Sequence, residues 1–410
     1  MVKANTKIKP MQYIDLFSGC GGLALGLHKA GIHGIFAVEK NDDAFKTLQH
    51  NMMDLRNHFF WPQWLPQAAI DINVLLEKYE ECLLEFQGKV DLLTGGPPCQ
   101  GFSLAGRRNR TDRRNKLVHS YIKMVEIIQP TFILLENVKG FTIPFYTKTG
   151  RKKLYSNAVV KKLQELGYQI EYRLLDFSNY GVPQHRTRFV LFGVRKKDNL
   201  KKDFAKNFFK KLEELKKDFL NERKLNVPVS VKDALGDLLY ANGTQPSKEF
   251  PKFRFGLYSE PQTAYQKLMR SVPLPNEVPD SHRFANHSVT IQKRFFWAIE
   301  HNATSAEYKK HFDLKKSSTK HLAESEPTPT LTTLPDDYIH YSEPRILTVR
   351  EYARIQSFSD DYIFLGKYTT GGKRRTSEVP RYSQIGNAIP PLFGELAGIA
   401  LQEMLYAYNN

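Results

Sequence analysis

Cysteine is nearly absent from this chain: 410 residues hold 3, at positions 20, 82 and 99. So small and odd a number, irregularly spaced, excludes a disulfide framework and fits a reducing compartment. The 12 histidines form no Cys/His cluster with zinc spacing, so no metal site is expected. No apolar run is long enough to span a bilayer. The opening MVKANTKIKP lacks the apolar centre of a signal peptide, so a cytoplasmic location is expected. Acidic residues are outnumbered, 43 Asp and Glu against 60 Lys and Arg, for a net charge of +17. A generally basic soluble protein could show that balance. Clustering of the charge in particular loops favours a polyanionic partner.

What is present is a repeated strand-then-helix texture. MQYIDLFSGCGGLALGLHKAG and GIFAVEKNDDAFKTLQHN each read as an apolar strand followed by a helix. VDLLTGGPP and TFILLENV are two more apolar runs ending in loops, and QIEYRLLDFSNYGV and RFVLFGVR read as late strands. Strands alternating with helices predict an α/β fold, a parallel sheet covered on both faces. After Val194 the chain turns lysine-rich, with Phe204, Phe208, Leu212, Leu215 and Phe219 at helical spacing. Residues 226–341 are irregular and read as a second, smaller domain; ordered patterns return in ILTVREYARIQSFSDDYIF and YSQIGNAIPPLFGELAGIALQEML.

The residues that could carry chemistry sit at the ends of the apolar runs, where open α/β sheets bind ligands. Asp15-Leu16-Phe17-Ser18-Gly19-Cys20-Gly21-Gly22 is a glycine-rich turn between strand and helix, which allows a ligand close to the backbone. Glu39 ends the second strand, where a carboxylate can bind ribose hydroxyls. The spacing is not GxGxxG, which argues against a nicotinamide cofactor. Asp71 suits an adenine amino group or a helix N-cap. Gly95-Gly96-Pro97-Pro98-Cys99-Gln100 places a cysteine at a strand end, with Arg107, Arg108, Arg110, Arg113 and Arg114 just beyond it. An electropositive setting favours a nucleophilic thiolate; Cys20 and Cys82 read instead as small buried hydrophobes. Glu136, among apolar neighbours, could hold a proton near neutral pH. Alternation puts Arg186 and Arg188 on one strand face, suited to a carbonyl oxygen and a phosphate.

In this order the stretches resemble the DNA (cytosine-5) methyltransferases, which use S-adenosylmethionine. DLFSGCGG resembles the family's first cofactor motif, VEKN and Asp71 the second and third, and GGPPCQGFS the catalytic motif. ENV resembles the glutamate motif, QHRTRFVLFG the Gln-x-Arg-x-Arg motif, and RILTVREYARIQSFSDDYIF and QIGNAIPP the last two. The resemblance covers nearly the whole chain. It implies a Rossmann-like S-adenosylmethionine-dependent methyltransferase sheet with a smaller target-recognition domain. Residues 1–195 and 342–410 would form the catalytic domain and 196–341 the recognition domain.

The implied reaction is transfer of a methyl group to C5 of a flipped cytosine in a short specific duplex sequence. Cys99 would attack C6, Glu136 would hold N3 and the exocyclic amine, and one of Arg186 and Arg188 would lie at O2. Cofactor contacts are implied for Asp15, Phe17 (stacked on adenine), Ser18, Gly19, Gly21, Gly22, Glu39, Lys40, Asp71, Ile72, Pro97, Asn387 and Ala388. DNA contacts are implied for Ser103, Arg107, Arg108, Arg110, Arg113, Arg114, Gln184 and, in PTPTLTT, the pair Thr330 and Leu331. Double-stranded DNA is the implied partner, met by a monomer at the bacterial nucleoid. A cognate restriction endonuclease would act alongside without stable binding. A tRNA cytosine-5 methyltransferase and a catalytically silent DNA-binding homologue are the competing readings. The Gly-Phe-Ser after Gln100 and the large second domain favour DNA over tRNA, and the intact motifs speak against a silent homologue.

Overall fold

A computed structural model describes residues 10–98, 117–146, 152–246, 250–272, 278–370 and 378–410. Its main sheet has six strands: β1 (Gln12–Leu16), β2 (His33–Val38), β3 (Leu92–Gly95), β4 (Phe132–Val138), β5 (Tyr168–Asp176) and β6 (Thr187–Arg195), in the order β2-β1-β3-β4-β6-β5. The first four are parallel and β6 runs antiparallel to both neighbours. The parallel sheet read from the sequence holds for these four strands, and the edge formed by β6 and β5 departs from it. A parallel return needs a crossover of a dozen or more residues. Only residues 177–186, with a 3-10 turn at Phe177–Tyr180, join β5 to β6.

The apolar strand runs follow from burial on both faces. Phe132 and Leu134 enter one hydrophobic cluster while Ile133 and Leu135 enter another. On the first side lie α1 (Gly22–Lys29) and the C-terminal helix Pro391–Asn409, interlocked at glycine: a Cβ on Gly26 would stand 2.5 Å from the Pro391 carbonyl oxygen. On the other lie the helices Leu117–Ile128 and Tyr155–Glu165, whose Tyr121, Met124, Val159 and Leu163 are buried.

The lysine-rich segment forms the expected amphipathic helix, Lys206–Glu222, burying Phe208, Leu212 and Phe219. It packs against the main sheet and the C-terminal helix. Phe208 stacks on Phe192 of β6 at 4.6 Å, and Arg223 pairs with Glu395 of the C-terminal helix at 2.5 Å. The periodicity shows that the helix has an apolar face, not which surface that face meets. Beyond it come short elements, among them the hairpin Thr244–Pro246/Arg254–Gly256 and the helices Val289–Glu300 and Ser305–His311, which share a small core of Phe295, Ala298 and Tyr308. Buried ion pairs lock this region to the helix Val349–Ile355. Arg354 bridges Asp237 and Asp360 at 2.8 and 2.6 Å, and Arg345 grips Glu351 at 2.7 Å.

Candidate active site

The ends of β1 to β4 open into a cavity of about 810 Å³. One end of it is acidic. Asp15, next to last in β1, is 2% exposed, and its Oδ2 has no hydrogen-bond partner among the described residues. Burial, then the nearby Glu39, pushes its carboxyl well above the usual carboxylate range. Glu39 follows β2 and accepts from the backbone N–H of Gly19 at 3.1 Å and of Asn41 at 2.8 Å. It thereby joins the glycine turn to the next helix start. Burial raises its pKa, and the backbone donors oppose the shift. Asp71 accepts from Asn73 N at 2.9 Å as the N-cap of the helix Ile72–Lys78, and it lines the cavity as well.

The glycine turn divides by role. Phe17 and Gly19 both have left-handed φ, 59° and 57°, and a Cβ on Gly19 would meet nothing within 4 Å. Gly21 and Gly22, expected to face a cofactor, lie off the cavity. Their missing side chains make room for the C-terminal segment: a Cβ would come 2.7 Å from the Tyr362 hydroxyl and 2.4 Å from the Ile389 carbonyl oxygen, respectively. The remaining cofactor candidates, Asp15, Phe17, Ser18, Gly19, Glu39, Lys40, Asp71, Ile72, Pro97, Asn387 and Ala388, all line the one cavity.

Its other end holds Gly96, Pro97, Pro98, Glu136, Arg186 and Arg188. Register explains the central pair. Val138 stands opposite Arg188 and Glu136 opposite Val190, so Glu136 and Arg188 are diagonal neighbours on one sheet face. Arg188 Nε meets Glu136 Oε1 at 2.9 Å, with the two side chains 11% and 16% exposed. Burial raises the Glu136 pKa, while the Arg188 and Arg186 guanidiniums pull against it. Gly96 leaves room for this carboxylate, since a Cβ there would sit 3.2 Å from Oε2. Asn137, which the sequence shows only as the middle of ENV, donates from Nδ2 to the Pro97 carbonyl at 2.9 Å and so fixes the Pro-Pro turn. Cys99, Ser103, Arg107, Arg108, Arg110, Arg113 and Arg114 lie outside the described residues; the described chain reaches Pro98, on the cavity wall.

Arg186 and Arg188 part ways. Arg186 is 2% exposed and donates from Nη2 to the carbonyls of Gly386 (2.9 Å) and Ala388 (3.2 Å). It therefore braces backbone, and Arg188 is the one paired with Glu136. Gln184 and Leu331, expected at DNA, are 0% and 2% exposed and bonded to each other, so in this arrangement neither is open to a duplex. Thr330, half-buried, donates from its hydroxyl to the His185 carbonyl at 2.6 Å. Cavity residues to which the sequence reading gave no role include Leu23, Ala44, Ile70, Leu117, Thr333, Val379, Gln384 and Ile389. Gln384 and Ile389 stand within QIGNAIPP and Thr333 within PTPTLTT, stretches that the sequence singles out without giving these side chains a role.

Comparison with known proteins bears on the whole chain. A family model described as C-5 cytosine-specific DNA methylase matches residues 11–402. The Type II methyltransferase M.DdeI of Desulfomicrobium norvegicum is 30% identical, over 94% of this chain and 87% of that protein. M.PspPI of a Psychrobacter species is 32% identical, over 96% and 79%. Among solved structures, a putative DNA modification methyltransferase encoded within an E. coli prophage is 25% identical with a TM-score of 0.64, covering 97% of this chain and 99% of that one. The S. pombe Dnmt2 methyltransferase, at 14% identity and a TM-score of 0.53 over 98% and 100%, shares the fold.

Proposed function

Because the chain belongs to the C-5 cytosine-specific DNA methylase family, we propose that it methylates one cytosine of a short duplex sequence through a covalent Cys99–C6 adduct on a flipped base. The coarser activity is that of a DNA (cytosine-5-)-methyltransferase of the restriction-modification type, with S-adenosylmethionine as its cofactor. The observation that carries the finer reading is one cavity with two chemically different ends.

The acidic end fits a cationic nucleoside. Asp15, with its unpartnered oxygen, Glu39 and Asp71 can take an amine and ribose hydroxyls, Phe17 an adenine face, and Asn387 and Ala388 the amino-acid end. When bound there, S-adenosylmethionine supplies an electrophilic methyl group on a sulfonium. At the other end the Cys99 thiolate adds to C6 of cytosine, forming the S–C6 bond and making C5 nucleophilic. Glu136, its pKa raised by burial, holds a proton to share with N3 as that charge develops. Arg188, beside it, is assigned to O2. After C5 gains its methyl, loss of the C5 proton and cleavage of the S–C6 bond restore the ring and the thiolate. A base inside a duplex stack cannot reach such a cavity, so it must swing out. The arginines of residues 107–114 neutralise phosphates on either side. The chain acts as a monomer, with residues after Arg223 and up to Tyr341 as the target-recognition part, alongside an endonuclease of the same specificity.

The test is purified chain with methyl-labelled S-adenosylmethionine and unmethylated duplex DNA, digested to nucleosides. Label in 5-methyl-2′-deoxycytidine is expected, together with a denaturation-resistant protein–DNA complex on duplex bearing 5-fluorocytosine, where the C5 substituent cannot leave as a proton. Label on tRNA alone would move the assignment to RNA. Label on DNA with no trapped complex would overturn the covalent step.

A further inference from the structure

A chain of buried amides runs from the segment Thr328–Leu331 to the cavity wall at Gly386–Ala388. Residues 183–185 and 328–330 are stitched edge to edge. Thr328 N donates to the Pro183 carbonyl at 3.0 Å, His185 N to the Thr328 carbonyl at 2.8 Å, and the Thr330 hydroxyl to the His185 carbonyl. Beneath this seam, Gln184 Oε1 accepts from Leu331 N at 2.8 Å and from Arg186 Nη1 at 3.3 Å. Gln184 Nε2 donates to Gln356 Oε1 at 2.5 Å. Gln356 Nε2 donates in turn to the carbonyls of Ile385 (2.9 Å) and Ala388 (2.8 Å). Both glutamines are fully buried.

The direction of this chain is fixed by its ends. Turning Gln184 over would set its NH2 against two N–H donors, and turning Gln356 over would set its oxygen against two carbonyls. Each amide can be satisfied one way only, so a displacement at Leu331 cannot be absorbed by an amide flip. A Cβ on Gly386 would lie 2.5 Å from the Thr332 carbonyl oxygen, so the two backbones touch as well. Thr333, Gly386, Asn387 and Ala388 all line the cavity.

We propose that Gln356 is a positioning residue that couples the seating of Thr328–Leu331 against duplex DNA to the backbone of Ile385–Ala388, so that DNA tightens binding at the cofactor end of the cavity. This rests on the methyltransferase reading above. Removing the Gln356 amide takes one of two donors from each of the Ile385 and Ala388 carbonyls, which keep the Ala388 N–H and Arg186 Nη2, and it leaves the buried Gln184 NH2 without its acceptor. Among the described residues it severs the side-chain path from Gln184 to that strand of backbone that does not pass through Arg186.

The experiment measures the Kd of S-adenosylhomocysteine with and without a duplex carrying the methylated site, for wild type and Gln356→Met. Wild type is expected to bind roughly tenfold more tightly with DNA, within the usual range of coupling between sites. Q356M is expected to keep its circular dichroism and DNA-free affinity within about twofold while losing most of that ratio. An unchanged ratio in Q356M, or no tightening in wild type, overturns the proposal. If Q356M fails to fold, Gln356→Glu decides it. The neutral acid can donate to the Ala388 carbonyl while accepting from Gln184, and the anion cannot. Coupling in Q356E should therefore fall as pH rises; coupling that matches wild type at every pH would refute the relay. A wild-type chain that methylates no DNA rejects the methyltransferase reading, and the coupling with it.

Discussion

Glu136 is held in a position that its neighbours were shaped to permit. Gly96 gives it space, Arg188 orients it at 2.9 Å, and burial lifts its pKa. Glu136→Gln keeps the shape and removes the transferable proton. It should lower kcat by roughly 10²–10³ while the Kd for duplex DNA changes little. Single-turnover methyl transfer checks this, and an unchanged rate would make Glu136 structural. Side chains of this kind were legible in the sequence because they sit near where apolar runs end: Asp15 and Glu136 lie within the last three residues of their strands and Glu39 follows one. Gly21 and Gly22 were legible as glycines but not in purpose. What makes them necessary, Tyr362 and Ile389, comes from the far end of the chain.

At the scale of elements, strands buried on both faces announce themselves as unbroken apolar runs, and the long C-terminal helix does the same. The helix Val349–Ile355 does not. VREYARI carries three charged side chains in seven residues, yet Arg350 and Arg354 are completely buried. Their partners Asp280, Asp237 and Asp360 are scattered along the chain, and no local pattern marks them. Charges so placed are costly to strand. Arg354→Met would leave buried Asp237 and Asp360 with only the longer pairs to Arg270 (3.5 Å) and Arg350 (3.9 Å), and should cost about 3–5 kcal/mol of folding stability. Urea unfolding measures this, and a loss under 1 kcal/mol would show that the network contributes little. The antiparallel edge was legible but easily passed over: QIEYRLLDFSNYGV and RFVLFGVR read as two strands, and the few residues between them are too short for a parallel crossover.

For the molecule as a whole, charge and pH set the working window. If the arginines of residues 107–114 meet phosphates, each one replaced by glutamine should reduce the slope of log affinity against log salt by about 0.9. Titrating duplex binding from low to high salt reads that slope; a slope indifferent to Arg107, Arg108 and Arg110 would remove them from the interface. Stability should fall on the acid side. Burial lowers His58 to about 3 and His282 to about 4, against 6.5 for a free imidazole. Below pH 6.5 the unfolded chain takes up protons that the folded one refuses. The contribution of these groups is thus complete above 6.5 and shrinks as pH falls through the folded values. Each group costs roughly 1.4 kcal/mol per pH unit in that interval. Tm should drop steadily from pH 6.5 to 4, and His282→Gln should flatten the slope; an equal slope in that variant would assign the protons elsewhere.

The central claim is that this chain places a methyl group on C5 of one cytosine in a short recurring duplex sequence. Bisulfite sequencing of genomic DNA from a methylation-free bacterial host expressing the chain tests it most directly. Protected cytosines confined to one short motif, and lost on Cys99→Ser, are the predicted result. A well-expressed, soluble protein that leaves every cytosine convertible would contradict it.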